Sequence, residues 1–202
     1  AGFDPGLSDG IPGPKTLAAL GKWRVNAAHN EPPAPPVVAV PPTGAVDARS
    51  EGIIATLHPQ VQQPFRDLLN AINAQTVPAT GLTGKWISGW RGEAEQNRNF
   101  DNGSSKARWP HSAHNGGGGK VGFACDIAWF DEHGSNIEKG QKYEAATTAA
   151  VRITRSLGFH SGVEFNDPDH HCRRPPSCDA MGETQFINEL IRRHENGIPL
   201  WP

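Results

Sequence analysis

The chain has almost no charge of one sign to spare: 19 Lys and Arg stand against 21 Asp and Glu, a formal net charge of -2 over 202 residues. That balance leaves no excess of cations to follow a phosphate backbone, which argues against nucleic acid as a partner. There is no run of eighteen apolar residues, so the sequence predicts no membrane span. No signal-peptide pattern is visible, and the chain opens on Ala1 rather than Met, which leaves open a leader or a longer N-terminal region before it. Cysteine is scarce, at three residues. Cys125 lies in an apolar run and reads as a small buried hydrophobe. Cys172 and Cys178 bracket Arg173-Arg174-Pro175-Pro176-Ser177, and two readings stand. A disulfide closing that loop points to an oxidising compartment, whereas two free thiols fit a reducing one.

What the chain does have is Gly and Pro, 23 and 18 residues, and hence much turn and linker. The length suffices for one real core with a small appendage. Residues 1–29 form a turn-rich segment, with a short helix expected from Thr16 to Trp23. Residues 30–47, with the run NEPPAPPVVAVPPTG, read as an extended semi-rigid linker. Residues 48–202 form the main domain. Within it Val61, Phe65, Leu68, Leu69 and Ile72 recur at helical spacing, and His58-Pro59 opens that helix. Lys85–Ser88 and Phe123–Phe130 read as strands. In the second, Cys125, Ile127 and Trp129 share one face, and Ala124, Asp126 and Ala128 the other. Lys142–Leu157 and Thr184–His194 read as helices, the latter turning Phe186, Ile187, Leu190 and Ile191 inward. Helices and strands do not alternate regularly, so the expected class is α+β, a small antiparallel sheet with flanking helices.

One carboxylate stands out. Asp126 falls in the middle of an apolar strand, where a charge is costly unless it is paired or binds a metal. A structural hydrogen bond or salt bridge would explain it equally well if it stood alone. It does not stand alone: His111 and His114 precede the strand, while His170 and His171 follow the acidic run Glu164-Phe165-Asn166-Asp167-Pro168-Asp169. Imidazole and carboxylate are the donors of a catalytic zinc site, in which three protein ligands leave a fourth position open.

The order of these pieces resembles a family. Leu57-His58-Pro59, then Ile87-Ser88-Gly89-Trp90-Arg91 with Glu95-Gln96, then Ser112-x-His114 and Gly122-x-Ala124-x-Asp126, then Asp167-Pro168-Asp169-His170, are similar to the motifs of zinc peptidases of bacterial peptidoglycan. These include phage L-alanyl-D-glutamate endopeptidases and D-alanyl-D-alanine carboxypeptidases, and the likeness spans about half the chain. It implies the zinc domain shared by D-alanyl-D-alanine peptidases and hedgehog-type signalling proteins. It also implies Zn2+ held by His114, Asp126 and His170, with Asp167 as general base. By the same resemblance Arg91 clamps a substrate carboxylate or carbonyl oxygen, and Ser112 contacts ligand or substrate. The run AGFDPGLSDGIPGPKTLAAL resembles the second half of a three-helix peptidoglycan-binding module, matching at Asp9-Gly10, Gly13-Pro14 and Thr16. A plain N-terminal arm is the alternative.

Two departures from the family pattern matter. Seven residues, Asn115 to Val121, separate His114 from Gly122 where the family has two, and four are consecutive glycines. They predict a flexible loop at the rim of the site, a lid or substrate contact, and they leave His111 as a rival to His114. A phosphate-cradling loop is a weak alternative, because Gly119-Lys120 is followed by Val121 rather than by Ser or Thr. His171 stands where the family often has an aromatic residue, so His170 and His171 compete as third ligand, and Asp169 competes with Asp167 as base. The expected function is an L-alanyl-D-glutamate endopeptidase acting on peptidoglycan stem peptides, as in an endolysin. A D-alanyl-D-alanine carboxypeptidase is the runner-up, and a zinc-containing domain that binds cell wall without cutting it is the alternative of another class. The setting implied is secreted, periplasmic or phage-lysis-associated. Nothing in the sequence demands more than a monomer.

Overall fold

A computed structural model describes residues 46–201. The peptidoglycan-binding-like segment and nearly all of the linker lie outside the described residues.

The sheet is built on a central strand. β1 (Thr83–Ser88), β2 (Ala124–Phe130), β4 (His160–Gly162) and β5 (Asp167–Cys172) run in the order β1-β2-β5-β4, every pair antiparallel. The two-residue β3 (Asn136–Ile137) pairs with the end of β2. β2 carries the expected alternation: Cys125, Ile127 and Trp129 are buried, with Asp126 and Ala128 between them on the other face. Register places Trp86 opposite Ile127 and His171 opposite Cys125, so these side chains share the core face.

Two helices cover that face. α2 (Pro59–Thr80) opens as its sequence predicts: the His58 ring accepts the Gln60 N–H at 3.3 Å, and Pro59 takes a first-turn position where no N–H is needed. It buries Val61, Phe65, Leu68, Leu69 and Ile72, and Gly81 ends it in the left-handed region. α4 (Gln141–Ser156) buries Ala146, Ala150 and Ile153. The tryptophans of the core find acceptors on these helices, Trp86 Nε1 on the Phe65 carbonyl at 3.3 Å and Trp129 Nε1 on Thr147 Oγ1 at 3.0 Å. The class is therefore α+β with a small antiparallel sheet, as the sequence predicts.

Three features lay beyond the sequence reading. α1 (Ala48–Ile54) has Asp47 as its cap, and its fully buried Ser50 accepts the Trp86 N–H at 3.0 Å, fastening the helix to β1. α3 (Glu93–Asp101) is a polar helix with one buried residue, Gln96, too few to show an apolar stripe. β4 and β5 are short and polar. Cys125, Cys172 and Cys178 are all buried free thiols, so no disulfide closes the loop between the last two.

The glycine run departs from expectation. Residues Ala113–Gly118 form a 3-10 turn in which Asn115, Gly116 and Gly117 are buried. The turn packs against α5 (Glu183–Glu195). Gly117 has φ +68°, and a Cβ there would lie 2.3 Å from the Leu190 carbonyl carbon and 2.5 Å from the Ile191 nitrogen. Gly116, at φ +54°, would place a Cβ 2.0 Å from the Val121 oxygen. The glycines let backbone approach backbone. They support the site from below rather than cover it.

We predict that Gly117→Ala destabilises the fold by about 2–4 kcal/mol, through a left-handed φ and a clash with helix backbone. Chemical denaturation checks this, and a loop free to move would show almost no change.

Candidate metal centre

Three elements bring three donors together. Asp126 comes from β2, and His170 stands directly opposite it on β5. Ser88 flanks Asp126 on the other side, from β1. His114 comes from the glycine-supported turn. Ser112 caps that turn, accepting the His114 N–H at 3.3 Å, and the His114 carbonyl accepts the Arg91 N–H at 3.1 Å. Asn115 holds the same stretch from behind, donating to the Arg91 carbonyl at 3.0 Å.

The donor atoms form a nearly equilateral triangle. His114 Nε2 lies 3.1 Å from Asp126 Oδ1 and 3.2 Å from His170 Nδ1, and His170 Nδ1 lies 3.2 Å from Asp126 Oδ1. Ligands 2.0–2.1 Å from a tetrahedral zinc are separated by roughly 3.3 Å, so the triangle has the size of one face of that tetrahedron. The tautomer agrees. His114 Nδ1 sits 2.6 Å from the Gly89 carbonyl, which can only accept, so Nδ1 carries the proton and Nε2 presents a lone pair. His170 turns Nδ1 toward the other two donors, and its Nε2 is buried with no hydrogen-bond partner among the described residues.

Electrostatics point the same way. Burial lowers the His114 pKa and keeps the ring neutral. Burial pushes Asp126 up, but the two histidines outweigh it and hold the carboxyl well below its usual range. Burial pulls His170 down, and the hydrogen bond and charge of Asp126 overcome it, for a net rise. A carboxylate set between two imidazoles is a donor set that a divalent cation can take.

The alternatives left by the sequence separate cleanly. His171 points to the other face of β5, fully buried, its Nδ1 2.8 Å from Thr154 Oγ1 and its ring edge-on to Trp86. Burial drives its pKa down to about 3. His111 is exposed on the cleft wall and stands outside the three-donor cluster. Asp169 accepts the Tyr143 hydroxyl at 2.8 Å and lines a smaller groove beside Trp129 and Ile137. Asp167 lines the main cleft with the triad. A flat strand would turn Asp167 and His170 to opposite faces. The β4–β5 ladder steps from Ser161–His171 to Gly162–Asp167, a bulge in β5 that brings both into one cleft. Asp167 remains open to solvent on one side; burial on the other, and then the charge of Asp126, raise its pKa.

The cleft has a volume of about 520 Å³. Arg91 lines it with its guanidinium on Asp126 Oδ2 and its Nε 2.8 Å from Ser88 Oγ. Ser112 lines it as well, whereas none of Asn115–Val121 does. The cleft is lined instead by Gly103–Ala107. The composition of that segment, Gly-Ser-Ser-Lys-Ala, carries no motif.

No known family model and no curated protein matches the chain. Among solved structures, the Serratia marcescens L-Ala D-Glu endopeptidase ChiX is similar at 24% identity, covering 62% of this chain and 86% of that one, with a TM-score of 0.43. A likeness that loose says nothing about activity.

Two outcomes check the centre. Asp126→Ala should weaken zinc binding on the order of a hundredfold or more, because one of three protein ligands is lost. Competition against a chelator measures it, and equal affinity in the variant would remove Asp126 from the site. Thr154→Val should cost about 1–3 kcal/mol of stability by leaving His171 without its partner. It should leave zinc affinity unchanged, because that side chain lies behind the sheet.

Proposed function

We propose that this chain is a zinc peptidase that hydrolyses stem-peptide bonds of bacterial peptidoglycan, with the L-alanyl-D-glutamate bond as its substrate, and that it acts at the cell wall. The observation that carries the reading is the triangle of His114, Asp126 and His170 donor atoms, each 3.1–3.2 Å from the next, with Asp167 beside it in one open cleft. The motif order along the sequence supports the choice of substrate.

The chemistry a bound zinc supplies is Lewis acidity, which polarises a scissile carbonyl and activates water. The chain's residues do the rest. Asp126, His114 and His170 would hold the ion. Asp167, its proton affinity raised by burial, takes a proton from the attacking water and returns it to the leaving amine. Arg91 orients Asp126 and offers its fork to the substrate's carbonyl oxygen. Ser112, which lines the cleft beside His114, contacts the substrate.

The test is digestion of purified peptidoglycan by the zinc-loaded chain and by Asp167→Asn, with mass spectrometry of the released peptides. New L-alanyl carboxyl ends are expected from the wild type. The variant should keep its zinc and lose about 10²–10⁴ in rate. If the wild type releases no peptide, or Asp167→Asn works as well as the wild type, the proposal is wrong.

A further inference from the structure

Of the charged groups in the cleft, Arg91, Asp126 and Glu183 have charged partners, whereas Asp167 and Lys106 have none within ion-pair distance among the described residues. Asp126 is held by Arg91, His114 and His170, and Glu183 takes an N–H of Arg174 at 2.7 Å. Lys106 is different. It is exposed, and its Nζ donates to the Phe165 carbonyl at 2.6 Å, from one wall of the cleft to the other. No carboxylate lies within ion-pair distance of it among the described residues.

The segment that carries Lys106 is anchored. Gln96, fully buried, donates from Nε2 to Ser105 Oγ at 2.8 Å and to the Ala107 carbonyl at 2.5 Å, one bond on each side of the lysine. Two residues further on, the Trp109 N–H donates to Asn97 Oδ1 at 3.1 Å. These bonds hold the backbone on both sides of Lys106, whose charge acts on the Asp167 carboxyl. A neutral carbonyl is a modest partner for an ammonium, and a carboxylate is a stronger one.

Taking the peptidase reading as its basis, we propose that Lys106 binds the free carboxylate carried by the carbon attached to the scissile nitrogen. A D-glutamate joined to the chain through its side-chain carboxyl keeps its α-carboxylate at that position. A terminal D-alanine presents the same group. Lys106 is thus a specificity residue for the leaving side of the bond, and a substrate whose carboxylate is amidated loses this contact.

The experiment uses the zinc-loaded chain and two pairs of peptides. One pair holds an L-alanyl-γ-D-glutamyl bond with the α-carboxylate free or as the carboxamide. The other ends in D-alanyl-D-alanine or in its amide. In whichever pair is cut, the wild type should favour the free carboxylate about tenfold in kcat/KM, the worth of one exposed charge-assisted contact. Lys106→Met should erase that preference and Lys106→Arg should keep it, with melting temperatures unchanged. Calorimetric binding of the γ-D-glutamyl product and of its amide repeats the comparison without catalysis. A wild type that treats acid and amide alike, or a Lys106→Met that still tells them apart, overturns the assignment. A chain that cuts neither peptide overturns the peptidase reading, while the binding comparison still decides the role of Lys106.

Discussion

Asp126 sits in the central strand of the sheet with its side chain only 19% exposed, and the surroundings are arranged around that charge. A carboxylate so placed is tolerable only with partners on several sides. Arg91 reaches it from beyond β1, His170 from the facing position on β5, and His114 from the turn that precedes β2. Each partner is itself held. Ser88 steadies the Arg91 guanidinium, the Gly89 carbonyl sets the His114 tautomer, and the cross-strand register sets His170. Pairing β2 with both neighbours thus does two things at once: it closes the sheet and gathers the donors.

The two faces of the sheet serve different ends. On one, Trp86, Trp129 and Ile127 meet α2 and α4 in a dry core, and His171 is taken in as a neutral polar group bound to Thr154. On the other, small residues flank Asp126 and leave the cleft open. His170 and His171 are neighbours in sequence with opposite surroundings, because successive side chains of a strand leave from opposite sides. The packed face makes the open one precise: donor atoms set to within a few tenths of an ångström require a backbone that does not yield.

The glycine run shows how close packing can read as looseness. Four glycines in a row suggest a mobile lid, and each would permit one. Here Gly116 and Gly117 take up left-handed backbone, and the Val121 carbonyl against the first and α5 against the second leave no room for a Cβ. The turn they make aims His114 at Asp126. The cleft is lined instead by Gly103–Ala107, held by Gln96 from a helix with no apolar stripe to announce it.

The long elements are legible in local patterns of the sequence. Helical spacing in Val61–Ile72 and alternation in β2 are local patterns, imposed by burial on one face, and they survive translation into structure. The chemical oddity of an acid in an apolar strand, with histidines on either side, is equally local; it singled out Asp126 and two histidine clusters, and the resemblance chose His114 and His170 from them. Tertiary structure decided the rest. The bulge that turns Asp167 toward His170 depends on pairing with β4. The burial of the glycine run depends on where α5 docks. The separation of His170 from His171, the state of the three cysteines and the reach of Lys106 across the cleft all depend on which strand or segment lies opposite. Contacts between residues far apart in the chain leave no periodicity behind, so they become visible only once the backbone has closed.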